Sequence, residues 1–233
     1  MKKEGTSKGV KERQKKEQAR RPATKETLEF TDESGARIPY EKYSAEMDVA
    51  DLLYGPEYKE LCGACPEHGK RLSCPPYSPF FPEYVGKTRR ATVICVRFPH
   101  EFFAHSASEK DYLTRFFGKA GKLLVASLLD FRARGRVVAG SGPCLACKEC
   151  AAESGSQSCP YPDRQIYSLE SLGVNVADLC KKAFDLDLEW SSGDRHADHV
   201  CAVGAAFDQE SSLPHDNEIE AAENETHARD VAD

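Results

Sequence analysis

Ala91-Thr92-Val93-Ile94-Cys95-Val96-Arg97-Phe98 decides how the chain is read. The stretch is rich in β-branched residues and too short for a typical helix, so it predicts a strand. A helix is expected next. Ser106 to Glu109 matches a capping box, and Tyr112, Leu113, Phe116, Phe117, Ala120, Leu123, Leu124 and Phe131 largely follow one helical face up to Gly135. Arg136-Val137-Val138-Ala139 then reads as a second, buried strand. A strand-helix-strand unit implies a right-handed crossover between parallel strands. The expected fold is therefore α/β, with a small, mainly parallel sheet flanked by helices and two cysteine-rich loops.

Outward from that unit the pattern continues on both sides. Downstream, Gln165 to Leu172 predicts a short helix stopped by Gly173, and Asn175 can cap a further helix whose Val176, Leu179, Cys180, Ala183 and Phe184 share a face. Val200 to Phe207 predicts the last strand. Upstream, Tyr43 to Pro56 has helical apolar spacing, a serine at a possible N-cap and a Gly-Pro stop. From Leu72 to Pro82, four prolines exclude regular helix and predict an extended, aromatic-rich path.

The second cysteine loop in chain order leaves the second strand through Gly140-Ser141-Gly142-Pro143 and carries Cys144-x2-Cys147-x2-Cys150-x8-Cys159-Pro160. The first cysteine set lies upstream. Cys62-x2-Cys65-x8-Cys74-Pro75 repeats the spacing of Cys147, Cys150 and Cys159, and each copy has a serine before its closing Cys-Pro. Aligned this way, Cys144 has no counterpart. It either completes the second site, leaving Cys62, Cys65 and Cys74 with an open position, or reaches across to the first. His68 is the nearest local candidate for that open position, with a solvated side chain as the plain alternative.

Thiolates at this spacing serve either a closed zinc site or a cubane iron-sulfur cluster. Zinc sites commonly join two separated Cys-x2-Cys pairs, whereas a continuous Cys-x2-Cys-x2-Cys run with a distant Cys-Pro favours 4Fe-4S, in one or two copies. All seven cysteines are candidate ligands. Cys95, Cys180 and Cys201 lie in apolar patterns and read as small core residues. Arg195-His196-Ala197-Asp198-His199-Val200-Cys201 contains ligand types, but in an extended chain His196 and Asp198 face away from His199 and Cys201. Lys70, Arg71, Lys148 and Arg164 stand near the cysteine sets, where cations would raise a cluster's potential or simply form a charged surface.

Of the 233 residues, residues 1–27 form a basic head and 208–233 an acidic tail, both expected to be disordered, around a metal-binding domain over 28–207. Positions 1 to 26 hold ten Lys or Arg against four Glu, and 208 to 233 hold nine Asp or Glu against one Arg. The head has no aromatic residue before Phe30 to stack on bases, so a nucleic-acid partner is not expected. No run approaches the roughly 18 apolar residues of a membrane helix, and no apolar stretch backs the N-terminal lysines. A cytoplasmic location is expected, where ten cysteines point to metal or redox chemistry rather than disulfides. P-loop, nucleophile-elbow, His-Glu-x-x-His and Rossmann patterns are absent.

Leu61-Cys62-x2-Cys65-x8-Cys74-Pro75-Pro76-Tyr77, then Gly140-x-Gly142-Pro143-Cys144-x2-Cys147-x2-Cys150-x8-Cys159, with Pro162, Arg164, Ser168, Glu170, Gly173 and Val176, resembles the family of predicted metal-binding proteins, domain of unknown function 2284. The resemblance spans roughly residues 40 to 207. It implies metal binding, with an iron-sulfur cluster in anaerobic-type metabolism, and it implies no particular reaction. Members often carry an aromatic residue where this chain has Leu72, and they lack the charged head and tail. The expected function is electron transfer, or substrate activation at an open cluster, with a redox protein or small molecule as partner. A zinc-stabilised interaction module is the alternative.

Overall fold

The computed structural model of the chain describes residues 22–31, 35–102, 111, 114, 115, 117–189 and 197–209. Six strands form one sheet: β1 (Thr24–Thr31), β2 (Arg37–Asp48), β3 (Arg90–Pro99), β4 (Val137–Gly140), β5 (Tyr167–Ser168) and β6 (His199–Phe207). Among the described residues it is accompanied by the α-helices α1 (Pro56–Glu60), α2 (Phe81–Val85), α3 (Lys122–Ala133) and α4 (Val176–Phe184). The strand order is β1-β2-β3-β6-β4-β5, and every pair except β4 with β5 is antiparallel.

The sheet is thus mixed and mostly antiparallel, which overturns the mainly parallel, helix-flanked sheet expected from the sequence. β3 and β4 do run in the same direction, as a strand-helix-strand unit requires. They are not partners, however, because β6 enters between them, antiparallel to both. The misreading has a physical cause. A strand buried on both faces shows a continuous apolar run whatever its direction. In β3, Ala91, Val93 and Cys95 pack with α2 and α4 on one face, while Ile94, Val96 and Phe98 pack with α3 on the other. The pattern reported burial, not polarity of the chain.

Two helices expected from the sequence are absent. Tyr43 to Asp48 belongs to β2, followed by a 3-10 turn at Val49–Asp51, and Gln165 to Gly173 is β5 with its turns. β2 buries Ile38 and Tyr40 against one core but Tyr43 and Met47 against the other. Its apolar set therefore changes face at Glu41-Lys42, and the alternation is broken where it would have been read. Other elements agree with expectation. β3, β4 and β6 stand where the apolar runs fall, α3 ends before Gly135 at φ +79°, and the Asn175 side chain caps α4 by accepting the Asp178 N-H at 3.0 Å. Cys95 and Cys180 are fully buried and Cys201 packs half-buried against the same core.

β1 starts at Thr24, inside the 1–27 segment expected from the sequence to be a head. The capping box at 106–109, Tyr112, Leu113, Phe116, His196, most of the basic head and nearly all of the acidic tail lie outside the described residues. His199 Nδ1 lies 2.9 Å from Arg97 Nη2, a contact that accounts for its ring. Among the described residues, no helix is long and apolar enough to cross a membrane.

Close approach of α3 to the sheet depends on Gly204 in β6. A Cβ there would stand 2.7 Å from the Ala139 carbonyl oxygen and 3.0 Å from Leu128 Cδ1. Gly204→Ala is expected to destabilise the protein by about 1–3 kcal/mol, read as a lower urea midpoint, since backbone must shift to admit the methyl.

Glu41 joins three strands. It accepts hydrogen bonds from Tyr43 Oη at 2.7 Å and Arg97 Nη1 at 2.9 Å, and it pairs with Lys25 of β1. Burial by itself would raise its pKa, but the bonds from Lys25, Tyr43 and Arg97 hold it at about 2, against an ordinary 4.5. A depressed carboxylate contributes its full stability above its ordinary pKa and loses it as pH falls through the folded value. Urea titrations across pH should therefore show Glu41→Gln lowering stability at neutral pH and flattening its decline between pH 4.5 and about 2.

Candidate metal centre

The first cysteine loop is assembled from short turns because prolines and glycines allow little else. Pro56 opens α1 at its first turn, where a missing N-H costs nothing. α1 runs directly into a 3-10 turn, Leu61–Ala64, which carries Cys62 and brings the Cys65 N-H to the Cys62 carbonyl at 3.0 Å. Gly69 N-H then donates to the Pro75 carbonyl at 2.9 Å, and Cys74 N-H to the Arg71 carbonyl at 2.9 Å. The loop is thereby closed upon itself. Cys74 is buried, Cys62 half-buried and Cys65 exposed.

Electrostatics place these three thiols in one neighbourhood. Cys62 is pushed up to about 11 by burial, then by Glu170 and Cys65, with Lys59 opposing. Cys74 is pushed up to about 11 by burial; the Ser73 hydroxyl opposes this and Cys65 and Cys62 add to it. Such thiols stay protonated at neutral pH until a cation draws off their protons, which is the usual linkage between metal binding and thiol ionisation. His68 is exposed in the turn after Cys65, in contrast to Glu170, whose Oε2 is sealed from solvent.

The second loop starts at the end of β4, where Gly142 at φ +66° turns the chain before Pro143. Cys144, Cys147, Cys150 and Cys159 line one small cavity of about 30 Å3, with Leu72 and Ser73 of the first loop in its wall. Tyr167 is pushed up by burial and then by the charges of Cys159 and Cys144. Cys144 thus stands with the other three cysteines of its own loop. Four sulfurs and no carboxylate form a donor set suited to soft metal or an iron-sulfur cluster.

The loops are joined through backbone and hydroxyl groups. Leu72 N-H points at Cys150 Sγ, 3.4 Å away. Ser73 Oγ, on a residue 2% exposed, accepts the Cys144 N-H at 3.1 Å and lies 3.9 Å from Cys74 Sγ. Gln165 Nε2 donates to the Leu72 carbonyl at 2.8 Å, and Arg71 pairs with Glu153 of the second loop at 3.2 Å and with Glu67 of its own at 2.9 Å. Of the cations singled out in the sequence, Arg71 sits in the cavity wall, Arg164 donates to the Ala146 carbonyl at 3.1 Å, and Lys70 and Lys148 are exposed. Sequence reasoning missed the linking role of Ser73, Leu72 and Gln165. The matched Ser-Cys-Pro in both copies was its only trace.

Among the described residues, no three His, Cys, Asp or Glu side chains are gathered as the ligands of one metal ion. A cluster takes each thiolate on a different iron, whereas zinc draws its sulfurs to about 2.3 Å from one centre, and either can use thiolates of this kind.

Gly173, at φ +87°, sets the first loop against the turn after β5. A Cβ there would stand 2.8 Å from the Gly55 carbonyl oxygen and 3.0 Å from Phe80. Gly173→Ala should lower the thermal midpoint by roughly 3–10 °C, and alkylation of Cys74 in the folded protein should become faster.

No curated protein and no solved structure matches the chain. A family model described as "Predicted metal-binding protein (DUF2284)" matches residues 45–205, a span that contains all seven clustered cysteines and most of the sheet. With more than half of its length matched, the chain belongs to this family of predicted metal-binding proteins.

Proposed function

We propose that the protein is an iron-sulfur protein, with a four-cysteine 4Fe-4S site in the second loop and a three-cysteine site in the first. The observation that carries this reading is the placement of Cys144, Cys147, Cys150 and Cys159 around a single cavity. In this reading Cys144 serves the second loop, and Cys62, Cys65 and Cys74 keep one position to be filled from elsewhere. A bound cluster supplies one-electron redox chemistry.

The chain's own groups are suited to that role. The Leu72 N-H aimed at Cys150 Sγ and the Arg71 guanidinium in the cavity wall both favour added negative charge, so they raise the potential of the second site. Ser73 touches a backbone N-H beside one site and a sulfur of the other, and it holds the two at a fixed spacing. The exposed Cys65 puts the first site at the surface, where a redox partner or small molecule has access. Electron transfer between the loops, with substrate or effector meeting the first, is the function these features support best.

Anaerobic purification followed by iron, acid-labile sulfide, zinc and visible-absorption measurements tests the proposal. Iron and sulfide are expected in equal amounts, about eight of each per chain when both sites are loaded. Stoichiometric zinc without sulfide would replace it with a zinc-stabilised interaction module. Cys144→Ser is expected to remove about half of the iron and leave the first site loaded. Loss of the first site alone would move Cys144 across the seam.

A further inference from the structure

We infer that the Glu170 carboxylate is the oxygen ligand that completes the centre of Cys62, Cys65 and Cys74, an inference that rests on the metal-bound reading above. Glu170 lies in the turn after β5 and brings no cysteine with it, so no spacing rule marks it. Its Oε2 is buried and has no hydrogen-bond partner among the described residues. Arg136 Nε and Asp178 Oδ2, also buried without a hydrogen bond, are ion-paired with Asp208 at 2.8 Å and Lys182 at 2.7 Å. Glu170 has no such pair. The Ser168 hydroxyl and its own backbone N-H lie against the carboxyl group, and Oε2 is left over. A sealed carboxylate oxygen without a partner is costly, and a cation is the partner that would offset it.

The placement of Glu170 is set by the fold, and its charge bears on the Cys62 thiol. The turn that carries it is fastened to both arms of the first loop. Gly55 N-H donates to the Gly173 carbonyl at 2.9 Å on the upstream arm; downstream, Ser78 Oγ donates to the Ser171 carbonyl at 2.8 Å and Phe81 N-H to the Leu172 carbonyl at 2.9 Å. The turn with the unpartnered oxygen is thus fixed against the loop that carries the three thiols, while His68, the nearest alternative in sequence, is exposed. A cluster bound here would hold three irons through sulfur and one through oxygen, and the oxygen-bound iron is the more exchangeable because carboxylate is the harder, poorer ligand for it.

The test compares wild type, Glu170→Gln and Glu170→Cys, each metal-free and after anaerobic reconstitution with ferrous iron and sulfide. Gln preserves shape and the contacts with Ser168. Metal-free Glu170→Gln is expected to melt with the wild type, yet once reconstituted to lose iron to a chelator at least about tenfold faster. Glu170→Cys is expected to retain iron and to change the electron paramagnetic resonance of the reduced first site, leaving that of the second unaltered. An unchanged rate of iron loss in Glu170→Gln overturns the inference. So does a lower melting point of the metal-free Gln variant, which would give Glu170 a structural role. Wild-type protein that takes up no iron and sulfide would instead defeat the iron-sulfur reading itself, and this inference with it.

Discussion

The Ser73 hydroxyl is the contact on which the rest of the centre depends. It is buried, it precedes a buried cysteine of one loop, and it accepts a backbone hydrogen bond from the leading cysteine of the other. A hydroxyl can accept on one side and donate on the other, so a single small side chain can serve both loops. Without the first loop the Cys144 N-H would lose its Ser73 acceptor. The two cysteine sets are therefore one structural unit, although Cys74 and Cys144 are 70 positions apart in the sequence.

That unit exists because of the sheet's topology. The first loop hangs from the connection between β2 and β3, and the second from the exit of β4. Since β6 lies between β3 and β4, the loops begin two strands apart, not side by side. The turn after β5, at the sheet edge beside β4, links to the base of the first loop at Gly55, Ser78 and Phe81. Gly173 lets two backbones meet there at a distance no side chain would allow. The mixed sheet and the shared cysteine unit are consequences of the same strand insertion.

Much of this was legible in the sequence, and the remainder was hidden for definable reasons. The cysteine spacing, the matched serines and the apolar runs of β3, β4 and β6 could be read directly, because ligand geometry and burial leave local patterns. Strand direction could not, because a run buried on both faces carries no sign of its neighbour's direction. β2 was hidden by the change of buried face between Tyr40 and Tyr43, which leaves a spacing that also fits a helix. The place of Cys144 depended on tertiary proximity alone. Glu170 was visible only as one residue in a resemblance, since an isolated acidic residue in a turn is ordinary until its burial is known.

The exposure of the three thiols in the first loop has one more consequence. Cys65 is open to solvent, Cys62 is half-covered and Cys74 is enclosed, so the site has a front and a back. Oxidants and thiol reagents arriving from water meet Cys65 before they meet any sulfur of the enclosed side, and damage begins at a residue whose loss leaves the Ser73 seam untouched. The enclosed Cys74 thus lies behind a sacrificial edge.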